Sequence, residues 1–288
     1  MNIIGGNMSI SIDEQYKRLE QTRMLLNPKV IPEKKRKIWE YFRGFQGVDI
    51  TNLEKRIRTN TILYRAPLFK IHGSNMVYWP TNNGEDIYID QEFVIKPENA
   101  DIINQQLTHE TLHSLCRTDD KKMFGHITTS ENAYLKGINE ATTQVFTDDI
   151  EGNLLGPKDD YLYFIKNIMR IIKSALSPES VANQFLNNNT DFEDRFNEIT
   201  NDKFNDFAFI LNSIYTISKQ KHYTSINEQQ EDMLISNQNL ILQFTSTFVK
   251  KVANNDPNVY SRIKVDSFSK EFLPNLKIEQ LNNNVETK

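Results

Sequence analysis

The pentapeptide HETLH at residues 109 to 113 must lie on an α-helix if its two histidines are to act together. Side chains four residues apart lie on one face of a helix, so His109 and His113 can direct two imidazole nitrogens at one point. Glu110 is turned about 100° from His109 around the helix axis, where its carboxylate can approach that point without occupying it. This arrangement predicts a zinc ion ligated by His109 and His113, with Glu110 as the general base of a hydrolase.

A catalytic zinc usually takes a third protein ligand, and the sequence offers three candidates. Glu140 lies in the run GINEA, on a helix that could pack behind the first. Asp119 follows His113 by six residues, but Cys116 stands where that type of site needs a glycine for its turn. His126, in FGHIT, is the third candidate because imidazole is the commonest ligand type.

HETLH followed by NEATTQ resembles the gluzincin branch of the zinc metallopeptidases, the group that includes thermolysin. The resemblance covers roughly residues 85 to 150 and implies that Glu140 is the third ligand. The resemblance implies that Asn139 supports the histidine pair. It also implies that Gln144, one helical turn after Glu140, supports a metal ligand. In the family an aspartate usually stands at the place of Gln144, although the amide oxygen of Gln144 could still orient His109.

The separation of His113 from Glu140 is longer than in thermolysin-like enzymes, which predicts an inserted loop carrying KKMFGHITTS. The resemblance also implies an α+β fold with a zincin-like core: a small sheet beside an active-site helix, followed by a mainly helical C-terminal half. We expect residues 1–150 to hold the N-terminal helices, the sheet and the zinc-site helices. Residues 151–275 would form a helical subdomain, and residues 276–288 a disordered tail.

Hydrophobic periodicity supports this division of the chain. Helices are predicted from Ser11 to about Arg58, interrupted at Pro28 and Pro32, because proline ends a helix at or before the preceding residue. The runs TILY, MVYW, DIYI and EFVI predict strands between about 61 and 95, with MVYW and DIYI as neighbours. Further helices are predicted at about 97–117, 136–148, 161–172, 179–187, 191–219 and 227–253.

The predicted activity is hydrolysis of peptide bonds in a peptide or protein held as an extra strand along MVYW or DIYI. Tyr161, Tyr163, His222 and Tyr223 are candidates for a second donor to the substrate oxygen, besides the metal. Two alternatives stay open. One is a zinc hydrolase that acts on a small amide, and the other is a degenerate zincin that only binds a partner.

A formal charge of -4 gives the chain no basic field, so we expect no nucleic-acid partner. No apolar run is long enough to predict a membrane span. Cys116, the single cysteine, cannot form an internal disulfide and is expected to be buried. The first residues do not resemble a secretory signal, so a cytoplasmic location is expected, with export by a dedicated secretion system left open.

Overall fold

The computed structural model describes residues 12–27, 29–69, 75–80, 85–116, 122–123, 126–127, 135–152 and 161–265. Within these residues the chain is a mixed α+β protein, mainly helical, with a small four-stranded sheet. It divides into two compact units, residues 1–36 with 58–114 and residues 37–57 with 115–288. The domain division predicted from the sequence, 1–150 and 151–275, stays a prediction, and the predicted tail at 276–288 lies outside the described residues.

The first unit contains the sheet and most of the helix that carries HETLH. Its elements are α1 (Ile12–Thr22), β1 (Met24–Leu25), the start of α2 (Val30–Arg43), β2 (Thr61–Ala66), β3 (Met76–Pro80), β4 (Glu85–Asp90), α4 (Gln91–Val94), a 3-10 turn (Pro97–Asn99) and α5 (Ala100–Cys116). The strands lie in the order β1-β2-β4-β3. Strand β4 is parallel to β2 and antiparallel to β3, which confirms MVYW and DIYI as neighbours.

Strand β4 is buried along its whole length because both faces of the sheet are covered. Ile87 and Ile89 pack with Leu107 of helix α5 on one face. Tyr88 packs with Leu19 of helix α1 on the other. Each fully buried side chain of this size contributes about 1.5–3 kcal/mol through the hydrophobic effect. The contact at Leu107 therefore fixes helix α5 on the sheet two residues before HETLH.

Two predictions were wrong in the first unit. EFVI, predicted as a strand, forms helix α4, because the side chain of Asp90 accepts hydrogen bonds from the backbone N–H groups of Glu92 and Phe93 and caps a helix there. Met24 and Leu25, predicted in a helix, form strand β1 and pair with Arg65 and Tyr64.

The described part of the second unit is helical apart from one short hairpin. Its elements are the end of α2, α3 (Thr51–Ile57), the hairpin of β5 (Lys122–Met123) and β6 (His126–Ile127), α6 (Lys136–Glu151), α7 (Tyr163–Ala175), α8 (Pro178–Asn187), α9 (Asp191–Thr200), α10 (Phe204–Tyr223), α11 (Glu228–Asn255) and α12 (Val259–Val265). The hairpin falls in the segment predicted as an inserted loop. Helix α6 packs against α7 and α10, so residues 136–151 belong with the C-terminal helices.

The single helix predicted over 191–219 is two helices, α9 and α10. The chain turns at Asn201 and Asp202, which both have positive φ, and asparagine and aspartate tolerate this left-handed conformation better than other non-glycine residues. The side chain of Asn197 then accepts a hydrogen bond from the backbone N–H of Phe204, in the first turn of α10. The turn lets Phe196 stack on Phe248 of helix α11.

Gly137 marks a close approach of helix α6 to helix α10. Its N–H donates to Oδ1 of Asn212, and a Cβ at residue 137 would lie 2.7 Å from the Asn212 Cα. We therefore expect Gly137→Ala to destabilise the protein by about 1–3 kcal/mol, although alanine favours helices. Urea denaturation measures the effect, and the exposed neighbour variant Lys136→Ala should change stability by no more than about 0.5 kcal/mol. Equal stability of Gly137→Ala and wild type would contradict the close approach.

None of the helices in the described part of the chain combines the length and apolar character that crossing a membrane requires.

Candidate metal centre

Helix α5 brings the two histidines of HETLH together as the spacing requires. Nε2 of His109 and Nε2 of His113 are 3.0 Å apart, and the rings meet edge to face. Both side chains are nearly buried, with 8% and 7% of their surface exposed. From Leu107 to Cys116 every residue of the helix is buried except Glu110, which is half-buried.

The distance between these nitrogens suits two ligands of one ion. Nitrogens bound to the same tetrahedral zinc at about 2.05 Å would be about 3.3 Å apart, close to the 3.0 Å found here. Ligation through both Nε2 atoms requires that each neutral ring carries its proton on Nδ1.

Glu140, on helix α6, supplies the third donor. The ligand atoms of His109, His113 and Glu140 all lie within 4.8 Å of one another. Within the described residues, this is the group of histidine, cysteine and acidic side chains close enough to hold a metal ion. Of the candidate third ligands predicted from the sequence, the structure thus brings Glu140 to the histidine pair.

The structure does not describe the side chains of the other two candidate third ligands. Asp119 lies outside the described residues, and His126 is described only as part of the backbone of strand β6. Cys116 is buried at the end of helix α5, as expected, and burial raises the pKa of its thiol. The Cys116 carbonyl oxygen accepts a hydrogen bond from Nδ2 of Asn188, so the chain around the cysteine is held by the helix α8 region.

Glu110 is held by strand β3. The backbone N–H of Tyr78 donates to Oε2 of Glu110 at 2.8 Å. Within the residues that the structure describes, this is the one hydrogen bond to the Glu110 carboxylate. A carboxylate with one oxygen held by a backbone N–H can take a proton on its other oxygen in a defined direction.

Among the described residues, strand β3 is an edge of the sheet, whereas β4 lies between β2 and β3. MVYW is therefore an edge strand and DIYI is not. The backbone oxygen of Asn75 accepts a hydrogen bond from the backbone N–H of Asp90 in strand β4. Along β3, the backbone groups of every second residue counted from Asn75 therefore point towards β4. Those of Tyr78, three residues after Asn75, point to the other side, which is the edge of the sheet. Sequence reasoning did not identify the role of Tyr78, and its place in a predicted edge strand was the one signal for it.

Gln144 lies one turn after Glu140 on helix α6 and is buried. Its Nε2 donates to Oδ1 of Asp148 at 2.7 Å. Asp148 is ion-paired with Lys166, Nζ to Oδ2 at 3.2 Å, and with Arg170, Nη2 to Oδ2 at 3.6 Å. Burial raises the pKa of Asp148 against the opposing effect of these two cations.

A second carboxylate, the half-buried Asp149, belongs to the same ionic cluster. It pairs with Arg170, Nη1 to Oδ1 at 2.6 Å, and with Lys173, and it accepts a hydrogen bond from the Tyr41 hydroxyl. Sequence reasoning missed this cluster. The available signals were the adjacent acids and the basic residues at four- and three-residue spacing on helix α7.

The cluster predicts a pH-dependent stability. Burial alone would raise the pKa of Asp149, but Lys173 and Arg170 hold it below its ordinary value of about 3.9. The ionised carboxylate therefore stabilises the fold above about pH 4, and this stabilisation is lost as the pH falls through the lowered pKa. Asp149→Asn should cost about 3 kcal/mol at pH 7, because Lys173 loses its paired carboxylate and Arg170 keeps only Asp148.

Urea denaturation of wild type and Asp149→Asn between pH 7 and pH 3 measures this dependence. The stability difference should start to shrink below about pH 4, where Asp149 becomes protonated in the unfolded chain, and it should vanish as the pH falls through the lowered pKa of the folded protein. A difference of constant size across this range would contradict the role of the Asp149 charge.

Three of the four candidate oxyanion donors lie together at the end of helix α10. The Tyr161 ring is 5.6 Å from that of His222 and 6.0 Å from that of Tyr223, centroid to centroid. Tyr163 is instead beside Lys166, whose Nζ lies 6.0 Å from its ring centroid.

Comparison of the chain with models of known protein families, with curated proteins and with solved structures finds no match.

Proposed function

We propose that the chain is a zinc-dependent metallopeptidase. The observation that carries the proposal is the convergence of His109, His113 and Glu140, whose ligand atoms lie within 4.8 Å of one another, beside Glu110. Three protein ligands leave one coordination position for water or substrate, as in catalytic zinc sites, whereas structural zinc sites use four protein ligands.

The donor set fits a divalent transition metal. Two imidazoles and a carboxylate suit zinc, and the same set also suits Fe²⁺ in oxygenases. What favours zinc and hydrolysis is Glu110, because a carboxylate next to the first histidine on the same helix is the base that a hydrolase needs. Cys116 is outside the donor group, so the site lacks the thiolate typical of structural zinc.

When bound, zinc would lower the pKa of a coordinated water towards about 7 and would polarise the substrate carbonyl. His109, His113 and Glu140 would hold the ion. Glu110 would accept the proton of the attacking water at Oε1, while the Tyr78 N–H holds Oε2 in place. Glu110 could then return this proton to the amine that leaves, so that one carboxylate serves as base and acid.

The position of Glu110 at a sheet edge supports a peptide as the substrate. Because Tyr78 faces the free edge of strand β3, the base lies beside backbone groups that can pair with an extended chain. Such pairing recognises the substrate backbone first, and side-chain pockets then select among sequences. A small amide would gain nothing from this edge.

The test is cleavage of a diverse peptide library by zinc-loaded protein, followed by mass spectrometry. We expect cuts that disappear after chelation and return when zinc, and not Fe²⁺, is added back. Small acylated amides form a second arm of the same experiment. Cleavage of small amides without cleavage of peptides would show that the protein is a zinc hydrolase of small amides and not a peptidase. Absence of cleavage in both arms would contradict the proposed function.

A further inference from the structure

We propose that Asp148 is a positioning residue of the metal centre that acts through Gln144. The inference rests on the proposed metal-binding function, and the observation behind it is the hydrogen bond from Gln144 Nε2 to Asp148 Oδ1 at 2.7 Å. Glu140, Gln144 and Asp148 follow one another at four-residue intervals, so they form one stripe along helix α6 that begins at the proposed ligand.

Asp148 determines the orientation of the Gln144 side-chain amide, that is, whether its nitrogen or its oxygen points towards Asp148. An ionised carboxylate only accepts hydrogen bonds, so it fixes the amide nitrogen of Gln144 on its own side. The amide oxygen of Gln144 is then directed away from Asp148. An acceptor in this position suits a ligating imidazole, whose second ring N–H needs a partner to orient the ring and to hold the tautomer that binds metal.

Helix α7 keeps the Asp148 carboxylate in place. Asp148 is 0% exposed and Lys166 1% exposed, and their charged atoms are 3.2 Å apart. Arg170 adds a second cation at 3.6 Å. In such a buried site a neutral residue at position 148 could present either a donor or an acceptor to Gln144, and the orientation of the amide would no longer be set.

Asp149 provides a matched control on the same helix. It is half-buried and also paired with Arg170. It lies nine residues after Glu140, which is two and a half helical turns and thus the opposite face of the helix. Asp149→Asn and Asp148→Asn both remove one carboxylate from the cluster. Only Asp148→Asn removes the partner of Gln144.

The experiment measures zinc affinity by competition with a chelator, together with thermal unfolding of the metal-free proteins. We expect Asp148→Asn to weaken zinc binding about 10- to 100-fold, as loss of an outer-shell partner does, and Asp149→Asn to change it less than about 3-fold. Both variants should lower the unfolding temperature. Equal zinc affinities in the two variants would overturn the inference, because the cluster would then act only on stability.

A second variant covers the case in which Asp148→Asn does not fold. Gln144→Met keeps the volume of the side chain and leaves the cations of helix α7 paired, and it should weaken zinc binding to a similar degree. Where all variants fold, the Gln144→Met/Asp148→Asn double variant should lose no more affinity than either single one, because both act through one contact. Unchanged affinity in Gln144→Met would overturn the inference, and a wild type that binds no zinc would overturn the proposed function together with it.

Discussion

Replacing His113 by alanine is expected to reduce the zinc content of the protein from about one ion per chain to near zero and to abolish peptide cleavage. The physical reason is that His109 and His113 present Nε2 atoms only 3.0 Å apart, so each needs the other to complete the site. The loss should exceed the roughly 100-fold weakening that removal of an outer-shell partner causes.

Metal analysis after zinc loading and dialysis measures this result. His222→Ala is the matched control, since it removes an exposed histidine of helix α10 that is not part of the donor group. It should retain about one zinc per chain. Retention of zinc by His113→Ala would show that the ion binds elsewhere.

The same measurement decides the third ligand. Glu140→Gln should weaken zinc binding, because a neutral amide is a poorer zinc ligand than a carboxylate. Asp119→Asn and His126→Ala should leave zinc binding unchanged. Loss of zinc in either of these two variants, with Glu140→Gln unaffected, would replace Glu140 as the proposed ligand.

The second large effect is expected for Glu110→Gln, which should keep zinc and lose turnover by about 10²- to 10⁴-fold. Glutamine preserves the shape of the side chain, and its amide oxygen can still accept the hydrogen bond from the Tyr78 N–H. It cannot take a proton from water. Steady-state cleavage of a peptide found in the library screen, with zinc content measured on the same sample, separates the two effects.

Glu98→Gln is the control for this variant, because Glu98 is an exposed glutamate in the turn before helix α5. Its turnover should equal that of wild type. Peptide cleavage by zinc-loaded Glu110→Gln at the wild-type rate would show that another group is the base, or that a contaminating enzyme cleaves the peptide.

Much of the fold followed from local patterns. Helix α5 was predicted from about 97 to 117 and forms a 3-10 turn at Pro97–Asn99 followed by Ala100–Cys116. The pairing of MVYW with DIYI was also predicted and is confirmed. EFVI was mispredicted because a single capping side chain, Asp90, outweighs the strand propensity of four residues. The helix over 191–219 was mispredicted because two left-handed residues turn the chain.

The sequence by itself determined the convergence of His109 and His113, because four-residue spacing on a helix is a local geometric constraint. The sequence also proposed Glu140 as one of three candidate third ligands. The approach of Glu140 to the histidines, however, depends on the packing of helices that are distant in sequence. Only the tertiary structure decided that Tyr78 holds Glu110 and that Asp148 lies between Gln144 and the cations of helix α7. Gln144 and Asp148 are four residues apart on one helix, but the contact of Tyr78 with Glu110 and the ion pair of Asp148 with Lys166 join different elements, so no local pattern predicts them.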